Sequence, residues 1–233
     1  IVSLNGVSTT IKSPLKENVV AAFTEKTLKQ IIAEIAKKHK LKVVGTIADI
    51  KFHRKTQNTS DLEFLRSLAD DYGYIFKIVA DSLVFTPYKQ LEDEKPALTL
   101  SGAELLDGSR ITPNINPLYA ACEVSYFRRG KLYTATAKDK NIKSGKVLRV
   151  KERCENRDQA EAMAVAQLWK TNRDYITGSI IIEGNPLICA GTNLELKDVH
   201  KLSGIYQAKE TRHTISGKDA AYITETEVYR VAG

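Results

Sequence analysis

The stretch from Ser60 to Gly73 constrains the fold of this chain more than any other. Ser60-Asp61-Leu62-Glu63 has the Ser-x-x-Glu spacing of a capping box. In that arrangement the serine hydroxyl accepts from the third helical amide while the glutamate reaches back to the cap's own amide. Asp61 adds a negative charge in the first turn, where the helix dipole favours it. Leu62, Leu65, Leu68, Ala69 and Tyr72 recur at helical spacing and form one apolar stripe. Gly73 supplies the left-handed residue that ends such a helix. Start, stripe and stop agree, so a helix over 61–72 with one buried face is predicted.

The flanking sequence extends this helix into a small α+β module. Leu28, Ile31, Ile32, Ile35 and Ala36 predict an amphipathic helix over 28–40, opened by a Thr27–Gln30 capping box and followed by an extended Leu41–Val44. Tyr74–Val79 and Leu83–Tyr88 flank an Ala80-Asp81 turn and read as a hairpin. The polar run Lys89–Pro96 reads as a linker. Beyond it the texture changes to strands at 119–127, 131–138, 146–152, 177–183, 192–196, 204–215 and 221–229, with turns at Arg129-Gly130, Lys140-Asn141 and Ser216-Gly217-Lys218-Asp219. A single helix over 157–173 interrupts them, capped by Asn156 and carrying a weaker stripe of Ala160, Met163, Ala164, Gln167 and Leu168. Residues 1–12, with Val2, Leu4 and Val7, read as a strand. The expected fold class is β-rich α+β. A small module at 13–88 is joined through a linker at 89–96 to a β-barrel or sandwich at 97–233 that carries one packed helix.

Composition narrows the function. The net charge is +7, divided as +4 over 1–88 and +3 over 89–233, so the excess is spread along the chain. A nucleic-acid binder concentrates its cations on one face. The two local clusters, Lys37, Lys38, Lys40 and Lys42 and the run from Lys138 to Arg153, read as solvated surface. No specific nucleic-acid partner is expected. Cys122, Cys154 and Cys189 are far apart and form no C-x-x-C pair, which favours buried small hydrophobes made in a reducing compartment. No run of 18 apolar residues occurs, so no membrane span is expected, and the first residues lack the basic-then-apolar pattern of a secretory signal.

Catalytic patterns are sparse. His39, His53, His200 and His213 have no partner at metal-ligand spacing, and His213 sits in a strand, where a structural role is the ordinary one. Asp70-Asp71 and Glu92-Asp93-Glu94 read as solvated carboxylates, without the surrounding groups that split pKa values in an active site. No G-x-S-x-G, P-loop or dinucleotide fingerprint occurs. Tyr126-Phe127-Arg128-Arg129 and Lys131-Leu132-Tyr133 interleave aromatics with cations as single-strand binders do, but read more simply as a hairpin with an apolar face and a basic turn. No catalytic, cofactor-binding or metal-ligating residue is assigned, and no cofactor is expected.

Gln57-Asn58-Thr59-Ser60-Asp61, followed by Phe64-Leu65, Leu68-Ala69 and Tyr72-Gly73, resembles the Q-x-x-S-D-x-x-F-L-x-x-L-A-x-x-Y-G signature of the phage late control D family. The hairpin ending Leu83-Val84-Phe85-Thr86-Pro87 resembles that family's next segment, and Thr27-Leu28 through Ile31, Ile35-Ala36 and His39 its preceding helix. Asp158, Ala160 and Ala162 resemble its later helix, and Gly204, Tyr206, Ala208 and His213 its closing strands, more loosely. The likeness covers most of 13–233. The family includes baseplate hub proteins of contractile tails and is similar to the hub part of type VI secretion spike proteins.

That resemblance implies a non-enzymatic structural subunit of a phage or prophage tail, or of a contractile injection system. The hub it implies is a homotrimer when full length. Each subunit offers two tube-like β-barrels, and the trimer joins a hexameric tail tube to a trimeric spike. The partners implied are the chain itself, tail tube protein and spike protein. The site implied is the baseplate of a virion tail or injection-machine particle, after synthesis in the bacterial cytoplasm. Family members carry a first barrel before the helices, so residues 1–12 are expected to be the end of a truncated N-terminal barrel. The alternative is a tail-associated protein that binds or degrades peptidoglycan.

Overall fold

The structure is a computed structural model that describes residues 13–114, 118–142, 144–216 and 221–231. The strand expected at 1–12 and most of the turn expected at 216–219 lie outside the described residues. In chain order the elements are β1 (Ala21–Thr27), α1 (Leu28–Lys38), β2 (Lys42–Val44), β3 (Lys51–Gln57), α2 (Asp61–Tyr72), β4 (Tyr74–Val79), β5 (Ser82–Pro87), α3 (Tyr88–Glu92), β6 (Leu98–Ser101) and β7 (Arg110–Pro113). They continue as β8 (Tyr119–Arg128), β9 (Lys131–Lys138), β10 (Lys146–Cys154), α4 (Arg157–Asn172), β11 (Ile176–Glu183), β12 (Asn193–Lys197), β13 (Gly204–Ile215) and β14 (Tyr222–Arg230). The fold is β-rich α+β.

The chain forms two compact units that interleave along the sequence. The first takes the residues up to Tyr88, Ala121–Lys138 and Val147–Leu168, and the second takes Lys89–Ala120, Asp139–Lys146 and Trp169 onward. This differs from the continuous 97–233 domain expected above. The reason is packing: Cys122, Val124, Tyr126 and Ala135 on β8 and β9, with Ala160, Met163 and Ala164 on α4, bury themselves within the first unit. Strand periodicity reports that a residue is buried, not which core buries it.

In the first unit the two expected helices form where their stripes predict. Leu28, Ile31, Ile32, Ile35 and Ala36 are buried on α1, and the Thr27–Gln30 capping box is present. On α2 the capping box of Ser60 and Glu63 is complete, and Gly73 ends the helix at φ 76° and ψ 43°. Its buried face is rotated from the expected stripe: Phe64 is buried and stacks on Phe23 at 5.7 Å, while Leu62 is half-exposed. β1 and β3, which pair antiparallel, were not expected. Most of their side chains are charged or polar, and Phe23 and Phe52 supply their buried apolar side chains, so alternation is too thin to read as a strand. β4 and β5 make the expected hairpin, and β2 adds to β5 in parallel. A third sheet has the order β10-β8-β9.

The second unit is one six-stranded sheet ordered β6-β12-β13-β14-β11-β7. Leu100, Ile180, Ile182, Ile188, Leu194, Leu196, Tyr206, Ala208 and Val228 form its core. The expected barrel is not closed. β6 and β7 are four-residue edges at opposite ends of the sheet, and closing a barrel requires its edges to pair. The expected linker also differs, because its first residues form α3 and Glu92 is buried.

The helix ends of α2 are testable. Ser60→Ala should cost about 1 kcal/mol through the lost cap. Gly73→Val should cost more, because a Cβ there would stand 3.0 Å from the Tyr88 ring and 3.2 Å from Ala166 in a left-handed conformation. Denaturant unfolding of the two variants checks this, and wild-type midpoints for both would remove the capping account.

Candidate functional site

Two buried polar networks and the exposed sheet faces are the places where this structure could do chemistry or make contact. The first network centres on Asp61, the opening residue of α2, which is 2% exposed. Lys38 Nζ donates to its Oδ2 at 2.7 Å, and His39 Nε2 lies 2.6 Å from the same oxygen. Gln57 Nε2 donates to Oδ1 at 2.8 Å and to the Thr59 carbonyl at 3.0 Å. The end of α1, the end of β3 and the start of α2 therefore converge on one carboxylate. Burial alone would push that carboxyl up. The hydrogen bonds from Lys38, Gln57 and His39 outweigh it, and the group is held below its ordinary range. Both oxygens are engaged by the protein, which is the signature of a structural junction.

The second network lies under α3. Asn193 Nδ2 donates to the carbonyls of Leu91, Glu92 and Glu94 at 2.8, 3.1 and 2.8 Å, and its Oδ1 accepts from Gln207 Nε2 at 3.0 Å. Tyr229 donates to Gln207 Oε1 at 2.5 Å, and Trp169 Nε1 donates to Glu92 Oε1 at 2.7 Å. The Arg173 guanidinium lies 4.7 Å from the Trp169 ring centroid and 5.9 Å from that of Tyr229. Burial pushes the Glu92 carboxyl up, with the Trp169 bond opposing it. Burial likewise raises the Tyr229 phenol, and the neighbouring Glu92 charge adds to this. The carboxylate expected in a solvated linker is thus buried against α4, while Asn193 ties its segment to the sheet.

The remaining residues flagged in the sequence do not converge. His213 Nδ1 lies 3.1 Å from both the Thr224 hydroxyl and the Tyr222 hydroxyl, and its Nε2 lies 3.0 Å from the Ile188 carbonyl, a structural placement. His53 contacts Glu25 on the surface, beside Lys51. Asp71 is partly buried 3.6 Å from Lys55, and burial raises its carboxyl. Cys122 and Cys154 are buried, which pushes each thiol up to about 11, whereas Cys189 is exposed. Among the described residues, no group of three or more His, Cys, Asp or Glu side chains could hold a metal ion, and no helix is long and apolar enough to cross a membrane. Sequence reasoning missed Asp61 and Glu92 as buried carboxylates. The only signal for the first was the presence of Gln57, Ser60 and Asp61 in the family signature, with His39 in the resemblance of the preceding helix.

The exposed faces carry more. The β8–β9 hairpin pairs Phe127 with Leu132 and Arg128 with Lys131. Tyr126 and Tyr133 stack at 5.7 Å on its other face. On the outer face of the six-stranded sheet, Glu210, Arg212, Glu225 and Glu227 line a shallow depression of about 60 Å³.

No family model and no curated protein matches this sequence. Solved structures do match. A 43 kDa tail protein of prophage MuSo2 from Shewanella oneidensis is similar at TM-score 0.64 and 16% identity, over 90% of this chain and 67% of that one. A tail protein from Neisseria meningitidis MC58 is similar at TM-score 0.66 and 15% identity, over 90% and 68%. The chain has the fold of phage tail proteins. The same fold extends to an Escherichia coli protein, c3393, described as a type VI secretion component with structural similarity to the T4 tail proteins gp27 and gp5. There the TM-score is 0.56 and the identity 10%, over 94% of this chain and 52% of that one.

Both networks titrate in opposite senses. Asp61 has a depressed folded pKa, so its contribution is complete above the ordinary value of 3.8 and is lost as pH falls through the folded pKa. Asp61→Ala should cost about 3 kcal/mol at neutral pH, because it leaves buried partners unsatisfied. A loss below about 0.5 kcal/mol would show that the junction is not structural. Glu92 has a raised folded pKa, so its ionisation penalises the fold above that value, and the penalty vanishes toward 4.5. Glu92→Gln should therefore melt at or above wild type at pH 7, with the difference closing in acid. A Glu92→Gln protein that is least stable relative to wild type at pH 7 would reverse this assignment.

Proposed function

We propose that this protein is a structural component of a phage tail or phage-tail-like injection machine. Its role is that of the baseplate hub, which joins a hexameric tail tube to a trimeric spike. The observation that carries the reading is the fold shared with tail proteins, one of them from a prophage, over nine-tenths of the chain. The late control D resemblance supports it, because its signature residues Gln57, Ser60, Asp61, Phe64, Leu65, Leu68, Ala69, Tyr72 and Gly73 cap, bury or pin the α2 unit. The two buried networks are occupied by the protein's own donors and acceptors, which suits a subunit built for contact rather than turnover. On this reading the full-length chain is a homotrimer, its further partners are the tube and spike proteins, and it resides in the tail baseplate or injection-machine particle after synthesis in the bacterial cytoplasm.

Light scattering of the purified full-length protein, with sedimentation in the presence of its cognate tail tube protein, tests the reading. A trimer that co-sediments with tube protein is expected. A strictly monomeric protein that stays in the supernatant would overturn it.

A further inference from the structure

We infer that copies of this chain meet through the β8–β9 hairpin of one copy and the outer face of β11, β14 and β13 of the next. The inference rests on the reading above that copies assemble, and it names the surfaces they use.

The hairpin ends in a tight, exposed turn. Arg129 and Gly130 both hold positive φ, at 49° and 73°, the conformation of a tight two-residue hairpin turn. Arg128 and Lys131 face each other at its base, so three exposed cations crowd one tip. No acidic residue occurs between Val124 and Lys138. None of the three cations makes an ion pair among the described residues. Beside them, Phe127 and Leu132 pair across the strands at 42% and 52% exposure. An isolated hydrophobic side chain on a surface needs no explanation, but a cross-strand apolar pair at a cationic tip is a contact patch.

The receiving face has the opposite character. β13 and β14 set Glu210 directly across from Glu227, and Arg212 across from Glu225. Glu183 at the end of β11 lies opposite Ile223. Four exposed carboxylates thus share this face with Arg212, and with Arg110 on the neighbouring β7, opposite Ser179, so the face stays net acidic, while Thr224, Thr226 and Val228 point into the core. Like charges directly opposite on a sheet are destabilising, so the Glu210–Glu227 pair costs the free chain stability that a cationic partner restores. Ile223, 36% exposed and two residues from Glu225, offers the apolar contact for Phe127 and Leu132.

The two surfaces complement each other in charge and in apolar content, and both belong to the same chain. The occupant that fits is a second copy. Such a contact is heterologous, joining different patches on successive copies, and closes into a ring when the rotation permits. A nucleic acid is less well served by the hairpin, because Tyr126 is 8% exposed and spends its face on Tyr133.

Charge reversal in the full chain tests this. One variant carries Arg128→Glu, Arg129→Glu and Lys131→Glu, a second carries Glu210→Lys, Glu225→Lys and Glu227→Lys, and a third carries both sets. Association is read by sedimentation velocity over a concentration series, with melting temperature to verify folding. Each single set should weaken association by about tenfold or more, and the combined set should regain it, since the charges again match. Wild-type association should weaken with added salt. Single-set variants that assemble like wild type would sink the proposed surfaces while leaving the assembly reading intact. A wild-type chain that never self-associates would remove both. Single-set losses that the folded combined variant does not reverse would show that the two patches do not meet. DNA retention by wild type that only the hairpin set abolishes, with association unchanged, would assign the hairpin to nucleic acid instead. If the sheet set fails to fold, the hairpin set decides alone: association equal to wild type overturns the proposal.

Discussion

The buried carboxylate of Asp61 is the constraint on which the helical part of this structure depends. A charge held at 2% exposure is tolerable only if its oxygens are fully engaged. Here the donors come from three separate elements, Lys38 and His39 at the end of α1 and Gln57 at the end of β3, with Asp61 itself opening α2. None of these elements can shift without stranding a charge. The apolar contacts then follow in register: Phe64 reaches Phe23 on β1, and Phe52 on β3 meets Tyr72 edge-on at 5.6 Å.

The second unit uses the same device with neutral groups. Asn193 spends its amide donors on the carbonyls of Leu91, Glu92 and Glu94, at and just beyond the end of α3, and its oxygen on Gln207. This is why a polar run that looks like a linker is ordered against the sheet. Its Glu92 is buried at an electrostatic cost, offset by the Trp169 indole, and the Arg173 guanidinium lies over the Trp169 and Tyr229 rings. In both units polar side chains fix which segments meet, and apolar stripes supply the burial.

This division of labour suits a protein whose fold is shared at 15–16% identity with the tail proteins it resembles. Apolar cores tolerate extensive substitution when pattern and volume are kept. A scaffold defined by stripes and a few polar junctions can therefore retain its architecture while its surfaces diverge. The surfaces are where the charges of this chain are arranged unevenly, with cations at the β8–β9 tip and carboxylates on the β13–β14 face, although both the first 88 residues and the remainder carry a net positive charge, +4 and +3.

The local units are legible in the amino-acid order alone. The capping boxes at Thr27 and Ser60, the left-handed stop at Gly73, the α1 stripe and the long strands of β8, β9, β13 and β14 are set by interactions a few residues apart or by strict alternation, and these can be read without partners. The same order also carries the likeness to a tail-protein family through one short signature. The rest was set by packing between distant segments. β1 and β3 exist because Phe23 and Phe52 find a core, not because their own pattern demands a strand. Phe64 is buried rather than Leu62 because β1 lies on that side of α2. β8, β9 and most of α4 join the first unit rather than the second, and the six-stranded sheet stays open, because burial is satisfied by whichever core is reached. Asp61 and Glu92 are buried because donors distant in sequence arrive to meet them. Each of these outcomes depends on contacts between segments far apart in the chain, and a local pattern carries no information about which distant surface will complete it.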